Sequence, residues 1–159
     1  MPETRGGISI DSQGDAVVIS GTIDETAELP GLLERARGGR LVLDLAGVVF
    51  IHSLGVRDWI RMLGAAQRAR TDVELRRVAE PLVHQLNMII AARGAARVTS
   101  FFAPYACDAC GHEESLVIDA VAHAVQLVHL EAPAMICPGC RSAMVFNDFP
   151  ERYFSFLSV

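Results

Sequence analysis

The 159-residue sequence predicts an α/β protein in two parts: a mixed β-sheet with helices packed on it over residues 1–102, and a small β-rich module over residues 103–159. Up to residue 102, the apolar positions switch repeatedly between the two-residue period of strands and the longer period of helices. All four cysteines lie beyond that point. The first part has 12 arginines and 12 acidic residues, whereas the second has 2 arginines and 7 acidic residues.

The first elements are an expected β-hairpin and a helix. Ile8–Asp11 and Ala16–Ser20 are short runs of strand-forming residues on either side of a turn-rich spacer. Leucines then recur at helical spacing within residues 25–37, and Gly38 follows as a stop signal. Pro30 is compatible with this helix only near its start.

The remaining elements of the first part alternate between strand and helix. They are predicted at residues 41–45, 55–70, 72–78, 81–92 and 97–102. The order places crossovers between parallel neighbours, which predicts a mixed sheet. The helix predicted over residues 55–70 is expected to turn one side inward, with Val56, Ile60, Leu63 and Gln67 on it. Residues 103–105 are the expected hinge into the second part.

The four cysteines form two Cys-x-x-Cys pairs, Cys107 with Cys110 and Cys137 with Cys140. Each pair can present two thiolates to one cation from a tight turn, and four thiolates suit zinc in a closed tetrahedron. Such a site has no open position for a catalytic water, so a structural zinc is the leading interpretation. Iron and a pair of disulfides are the alternatives. His112 is needed as a ligand only if one cysteine is not used.

The composition excludes several functions. The chain has no lysine, so it cannot use a phosphate-loop lysine or a lysine Schiff base. We find no Ser-His-Asp spacing, paired catalytic carboxylates or Gly-rich phosphate loop, and we expect no enzymatic activity. The acidic second part disfavours binding of nucleic acid.

The sequence also predicts where the protein works. No apolar stretch approaches the roughly 20 residues of a membrane-spanning helix, so no membrane insertion is expected. The first residues lack the apolar core of a signal peptide. We therefore expect a cytoplasmic protein, in which closely spaced cysteines serve as metal ligands more often than as disulfides.

Three motifs in the first part occur in an informative order: Gly21–Asp24, Leu41–Leu45 and Phe50–Val56. With the order of elements, they resemble the STAS domain, the sulphate-transporter and anti-sigma-factor-antagonist fold, over residues 7–102. The resemblance implies a bacterial interaction domain without catalysis. Such a domain docks on a kinase-like anti-sigma factor or a signalling assembly and is released by phosphorylation.

The sequence departs from the STAS pattern at the regulatory position. When Gly55 is aligned with the family glycine, Leu54 occupies the phosphorylated serine or threonine position, and His52 stands where the family has aspartate. Ser53 is then expected to cap the following helix. The alternative is a phosphorylation-switched anti-sigma factor antagonist that uses Ser53.

We expect the docking edge for a protein partner to include Ser53, Leu54 and Arg57. Arg57 and Arg61 also belong to a basic stripe on the predicted helix, which could receive an acidic partner. The single tryptophan, Trp59, lies beside this stripe and is either a partner anchor or a packed residue.

The second part resembles a zinc ribbon over residues 105–159. Its apolar tail contains five aromatic residues: Phe146, Phe149, Tyr153, Phe154 and Phe156. We expect these side chains to pack on the ribbon or on the first part, with a homodimer or partner contact as the alternative. Taken together, the sequence predicts a non-enzymatic regulatory or scaffold protein with a structural zinc site. An iron or redox protein built on the four cysteines is the rival prediction.

Overall fold

The computed structural model describes residues 2–157 and contains two β-sheets. The first sheet has six strands, which neighbour each other in chain order: β1 (Glu3–Arg5), β2 (Ile8–Gln13), β3 (Ala16–Ile23), β4 (Arg40–Ile51), β5 (Asp72–Arg76) and β6 (Arg97–Val98). The second sheet has the spatial order β8-β7-β10-β9, with β7 (Ser100–Ala106), β8 (Glu113–Asp119), β9 (Met135–Ile136) and β10 (Ala143–Phe146).

The first sheet is mixed, as predicted. Strands β1, β2 and β3 pair antiparallel, and β3 to β6 pair parallel. Strand β4 is longer than the predicted segment 41–45, because the apolar run continues to Ile51. Its pairing with β5 ends at Asp44, whereas its pairing with β3 continues to Ile51. The second half of β4 therefore extends beyond β5.

The predicted helix over residues 25–37 is wrong. Only a 3₁₀ helix forms there, Leu29–Arg35. Glu28 precedes it in the left-handed conformation (φ 51°), and Pro30 lies in its first turn. Proline has no N–H to donate, and the adjacent Gly31 has a low helix propensity. A regular α-helix therefore does not form here.

Helix α1 (Ser53–Arg68) confirms the predicted second helix, but its buried side differs from the prediction. The buried residues include Trp59, Met62 and Ala66, whereas Gln67 is exposed. The Trp59 ring is almost fully buried, and its indole N–H donates to the Ala92 carbonyl oxygen at 2.6 Å. Trp59 is thus a core residue and not a partner anchor.

The predicted third helix is divided into α2 (Glu80–Met88) and α3 (Ile90–Arg93). The break lies at Ile89, whose backbone is extended (φ −130°, ψ 106°). Two consecutive β-branched residues at this point weaken the helical preference.

The predicted hinge at residues 103–105 is also wrong. These residues lie inside β7, which pairs antiparallel with β8 from Ser100 to Ala106. The N–H of Phe102 donates to the Val78 carbonyl oxygen at 2.9 Å, so the start of β7 also contacts the chain that follows β5. The proposed division after residue 102 stays a prediction, and a continuous strand crosses it.

The chain between the cysteine pairs contains helix α4 (Ala124–Val128), and the C-terminal segment contains α5 (Pro150–Tyr153) and a second 3₁₀ helix, Ser155–Leu157. Among residues 2–157, no helix combines the length and apolar character needed to cross a membrane.

The C-terminal aromatic side chains join the two sheets in one core. Tyr153, Phe154 and Phe156 are buried and contact the ring of Phe101 at the start of β7, with centroid distances of 5.1–6.4 Å. Phe149 is the exception to the predicted packing, because 69% of it is exposed.

Asn87 of α2 fixes the same segment. Its side-chain amide donates to the Tyr153 carbonyl oxygen at 2.8 Å, and its side-chain oxygen accepts the N–H of Phe156 at 2.8 Å. Sequence reasoning did not single out Asn87, because nothing local marks an asparagine whose partners lie more than 60 residues away.

Candidate metal centre

Each Cys-x-x-Cys pair forms a tight turn, and the two turns have the same backbone hydrogen bonds. The Cys107 N–H donates to the His112 carbonyl oxygen, and the Gly111 N–H donates to the Cys107 carbonyl oxygen, both at 2.8 Å. In the second turn, the Cys137 N–H donates to the Ser142 carbonyl oxygen at 2.8 Å, and the Arg141 N–H donates to the Cys137 carbonyl oxygen at 2.9 Å. The two turns are therefore equivalent local structures.

The turns require a left-handed residue four positions after their first cysteine. Gly111 has φ 76° and Arg141 has φ 62°. Glycine adopts this conformation without steric cost, whereas an arginine loses about 1–2 kcal/mol there. The second turn is thus the more strained of the two.

Strand pairing brings the turns together. Strand β7 ends immediately before Cys107, and β9 ends immediately before Cys137. Strand β10 pairs with both: Val145 lies opposite Ala106, and Ala143 lies opposite Ile136. One short strand therefore sets the separation of the two cysteine pairs.

The four sulfur atoms form a compact cluster. The Sγ atoms of Cys107, Cys110, Cys137 and Cys140 all lie within 4.8 Å of one another. The Sγ–Sγ distance is 3.5 Å between Cys107 and Cys140 and 3.6 Å between Cys110 and Cys137. A metal–sulfur bond of about 2.3 Å gives a tetrahedron with an edge of about 3.8 Å, so the cluster has the size that a zinc ion requires.

The cluster faces the core on one side and solvent on the other. Cys107 and Cys137 are buried, whereas Cys110 and Cys140 are exposed. His112 is not part of the group that could hold an ion, and its Nε2 lies 3.0 Å from the carboxylate Oε2 of Glu114. The cysteines alone therefore offer a complete four-ligand set.

The pKa values of the two exposed thiols, Cys110 and Cys140, are shifted in opposite directions. The hydroxyl and the N–H of Ser142 both donate to the sulfur of Cys140, which lowers the pKa of that thiol to about 6. The N–H of His112 acts in the same direction on Cys110, but the neighbouring sulfurs outweigh it and raise the pKa of Cys110 to about 12. Four thiolates this close repel each other, so their joint ionisation needs a cation among them.

The predicted docking residues lie on a different part of the molecule. Ser53 and Leu54 begin α1, and Leu54 is 43% exposed. The prediction that Ser53 caps the helix is wrong: His52 occupies the N-cap position, and no side chain caps this end. Because β4 continues to Ile51, only one residue separates strand from helix, and Ser53 is already inside the helix.

The predicted basic stripe is partly neutralised. Arg57 and Arg61 both pair with Asp58, at N–O distances of 3.1 and 3.5 Å. Arg61 also lines an open cleft that contains Glu25 and Glu28. This side of α1 therefore presents mixed charge.

Sequence reasoning missed two exposed apolar residues beside the docking residues. Val49 and Phe50, at the end of β4, are 65% and 53% exposed. The available signal was the run of four apolar residues that ends at Ile51, because a strand with one covered face does not bury all of such a run. A register shift between β3 and β4, at Val48 and Phe50, interrupts simple alternation here. The structure buries Val48 and Ile51 and exposes the two between them.

No protein-family model matches this chain, and no curated protein is significantly similar to it.

Proposed function

We propose that this chain is a non-enzymatic regulatory or scaffold protein of bacterial signalling, built from a STAS-like domain and a zinc-ribbon-like module. One observation carries the proposal: the exposed apolar side chains of Val49, Phe50 and Leu54 lie within six residues, next to Ser53. With Arg57, these residues define the β4–α1 edge. Clusters of exposed apolar side chains bounded by polar residues are typical of protein-binding surfaces.

The backbone order supports the STAS resemblance. An antiparallel hairpin is followed by parallel strands, and the motif Phe50–Val56 occupies the junction between β4 and α1. Gly55 fits this junction for a physical reason, since a Cβ there would lie 2.5 Å from the carbonyl oxygen of Ile23. A glycine is required where helix and strand approach this closely.

Capture experiments from lysates of the native cells test the docking role. Leu54→Glu places a charge in the middle of the β4–α1 edge, and we expect it to remove specific partners that the wild type retains. Val125→Glu is the matched control, because Val125 is also an exposed aliphatic residue but belongs to α4. If Leu54→Glu and wild type retain the same proteins, the partner binds elsewhere.

The four-cysteine cluster supports a structural zinc in the second module. Zinc would be held by Cys107, Cys110, Cys137 and Cys140, where it would link the two turns and leave no ligand position for a reacting molecule. Elemental analysis of the purified protein should find one zinc per chain. Its visible spectrum should show no absorption band. An iron content of one per chain with a coloured protein would instead establish the iron alternative.

One observation favours a phosphorylation-switched variant of this function. Ser53 is exposed in the first turn of the 16-residue helix α1, where free N–H groups and the helix dipole favour a phosphate. Mass spectrometry of the protein from native cells would detect a phosphate on Ser53. If Ser53 is unmodified under all growth conditions, the phosphorylation switch is excluded, and docking without a switch remains.

A further inference from the structure

Strand β8 forms one edge of the second sheet. Among residues 2–157, its only strand partner is β7. Five of its seven residues are exposed, including Val117 in the second half of the strand. An edge strand presents a row of unpaired backbone N–H and C=O groups, which can pair with a strand of another molecule. The open side of β8 is therefore a candidate binding surface.

The backbone hydrogen bonds of β7 identify the groups of β8 that point to this open side. The Pro104 carbonyl oxygen accepts the N–H of Asn147 at 2.9 Å, and the Phe102 N–H donates to the chain that follows β5. Pro104 and Phe102 thus turn their backbone polar groups away from β8. The residues opposite them, Ser115 and Val117, are then non-hydrogen-bonded neighbours in the antiparallel ladder. Their own N–H and C=O groups point away from β7.

The outward N–H and C=O groups of Ser115 and Val117 have no backbone partner in the part of the chain that the structure describes. Glu113, two residues before Ser115, has the same orientation. The row therefore repeats every second residue along β8. An extended segment fits this row best, because a strand presents its own donors and acceptors at the same interval.

A cleft of about 410 Å³ reaches this edge at Ser115. Its apolar lining includes Val49 of β4, Pro81 of α2 and Phe102 of β7. When a segment adds to a sheet edge, recesses beside the edge bind its alternate side chains. The cleft therefore favours an apolar side chain in the added segment.

The charges along β8 indicate what other side chains the segment carries. The strand contains three acidic residues and no basic one. The carboxylate of Glu80 lies beside it and accepts the hydroxyl of Ser115. Within residues 2–157, neither Glu80 nor Glu113 forms an ion pair, and Glu114 pairs only with His112. Basic side chains are complementary to this edge.

A second copy of this chain does not fit the same edge. Strand β8 begins with Glu113 and Glu114 and ends with Asp119, so self-pairing in either direction brings acidic residues together. We propose that the open edge of β8 binds an extended segment of a partner protein with alternating basic and apolar side chains, which adds to the second sheet as a strand. This site goes beyond the proposed docking at the β4–α1 edge and does not depend on it.

Fluorescence anisotropy with a labelled peptide tests this site in the full-length protein. The probe has the length of β8, with arginine and valine alternating, and its counterpart has glutamate in place of arginine. We expect saturable binding of one arginine peptide per chain, weakened by added salt, and no binding of the glutamate peptide. Equal binding of the two peptides, or no binding of either, would overturn the inference.

Two N-methylated forms of the arginine peptide test strand addition itself. Successive residues of a strand direct their N–H groups to opposite edges, so methylation of the valine nitrogens blocks one edge and methylation of the arginine nitrogens blocks the other. One form should bind about tenfold more weakly than the parent peptide, and the other should bind like it. Similar affinities of the two forms would mean that charge alone holds the peptide, and the inference would fail.

Two protein variants locate the peptide on β8. Val117→Pro removes an N–H from the open edge without removing a hydrogen bond to β7, and we expect about tenfold weaker binding. Val117→Thr is the matched control, because it retains the N–H and the branched side chain. Glu113→Arg should also weaken binding of the arginine peptide, through charge repulsion. Circular dichroism establishes that each variant is folded. Unchanged affinity in both Val117→Pro and Glu113→Arg would overturn the inference.

Two further measurements separate this site from its alternatives. If ultracentrifugation shows a wild-type dimer that Val117→Pro dissociates, the edge belongs to self-association and the proposal is wrong. Leu54→Glu should bind the arginine peptide like the wild type, whatever its effect on partners of the β4–α1 edge. Loss of peptide binding in Leu54→Glu would instead place the peptide at the β4–α1 edge.

Discussion

The two sheets of this protein are stabilised in different ways. The first contains a 12-residue strand, β4, and its buried face is formed by aliphatic side chains such as Ile19, Leu43 and Leu75. In the second, β9 has two residues and β10 has four. These two strands bury little surface by themselves, and they pack beside the cysteine cluster and the aromatic C-terminal segment. We therefore expect the first sheet to keep its fold without a metal and the second sheet to need one.

The two sheets are nevertheless in contact through one group of aromatic side chains. Phe101 in β7 contacts Tyr153, Phe154 and Phe156, and Asn87 of α2 binds the same segment. The four predictions below test how far the two sheets depend on the metal, on this contact, on buried charge and on turn geometry.

Removal of the metal should have the largest effect. A structural zinc contributes on the order of 10 kcal/mol to a small module, so a strong chelator should unfold the second sheet and leave the first folded. Hydrogen exchange measured by mass spectrometry should then show loss of protection in peptides from residues 107–147, with protection retained in peptides from residues 41–75. Addition of zinc should restore the protection. Unchanged exchange in residues 107–147 would contradict a structural metal.

Phe101→Ala should destabilise both sheets, because Phe101 is completely buried in a core that contains residues of both. The expected cost is about 3–5 kcal/mol. Two signals separate the sheets in a urea titration: fluorescence of the single tryptophan, Trp59, reports on the first, and metal release to a coloured chelator reports on the second.

For this variant, both midpoints should move to lower urea. Phe149→Ala is the control for loss of an aromatic ring, since Phe149 is largely exposed and should change either midpoint little. A shift in only one of the two signals would mean that the aromatic contact belongs to one sheet alone.

Glu74 tests the role of buried charge in the first sheet. Burial by itself would raise the pKa of Glu74, but hydrogen bonds from Arg40 and Arg76 outweigh it and lower the pKa to about 2. A carboxyl group with a lowered pKa stabilises the fold above its unfolded pKa near 4.5, and this contribution disappears as the pH falls toward 2.

Glu74→Gln should therefore cost about 2 kcal/mol at pH 7, and the difference from wild type should shrink between pH 4.5 and pH 2. Urea unfolding followed by Trp59 fluorescence measures both values. Glu113→Gln, an exposed glutamate of β8, is the control. A constant difference across this pH range would show that the charge of Glu74 is not responsible.

The smallest predicted effects concern the two cysteine turns. Gly111→Ala should destabilise the first turn by about 1 kcal/mol, because alanine is strained at positive φ. Arg141→Gly should relieve the same strain in the second turn, partly offset by the greater freedom of glycine in the unfolded chain. Competition with a chelator should show metal affinity weakened about fivefold by the first change and slightly increased by the second. If Gly111→Ala strengthened metal binding or Arg141→Gly weakened it, strain in the turns would not control metal affinity.

The candidate metal centre was the part of the protein most open to prediction. Two residues between the cysteines of each pair fix a turn that presents two thiolates, so the spacing alone names all four ligands. The docking residues were harder to predict. Leu54 was identified by a motif, whereas the exposure of Val49 and Phe50 coincides with a register shift between β3 and β4, which no local pattern in β4 specifies.

Some errors have a common cause. The sequence predicted a hinge at residues 103–105 and one helix over residues 81–92, because composition and periodicity describe neighbours along the chain only. Pairing with residues of β8, 9 to 13 positions further on, makes the hinge a strand. Contacts of Asn87 and of Ala92 with distant residues accompany the division of the helix at Ile89.

The amino-acid sequence by itself determined the mixed α/β character of the first part, the hairpin at its start and the four candidate thiol ligands, because each depends on local spacing. Only the tertiary structure decided that Trp59 is buried, that Val49 and Phe50 are exposed, and that three arginines meet at the carboxylate of Glu74. The physical reason is that exposure and the local balance of charge depend on which distant segments pack together.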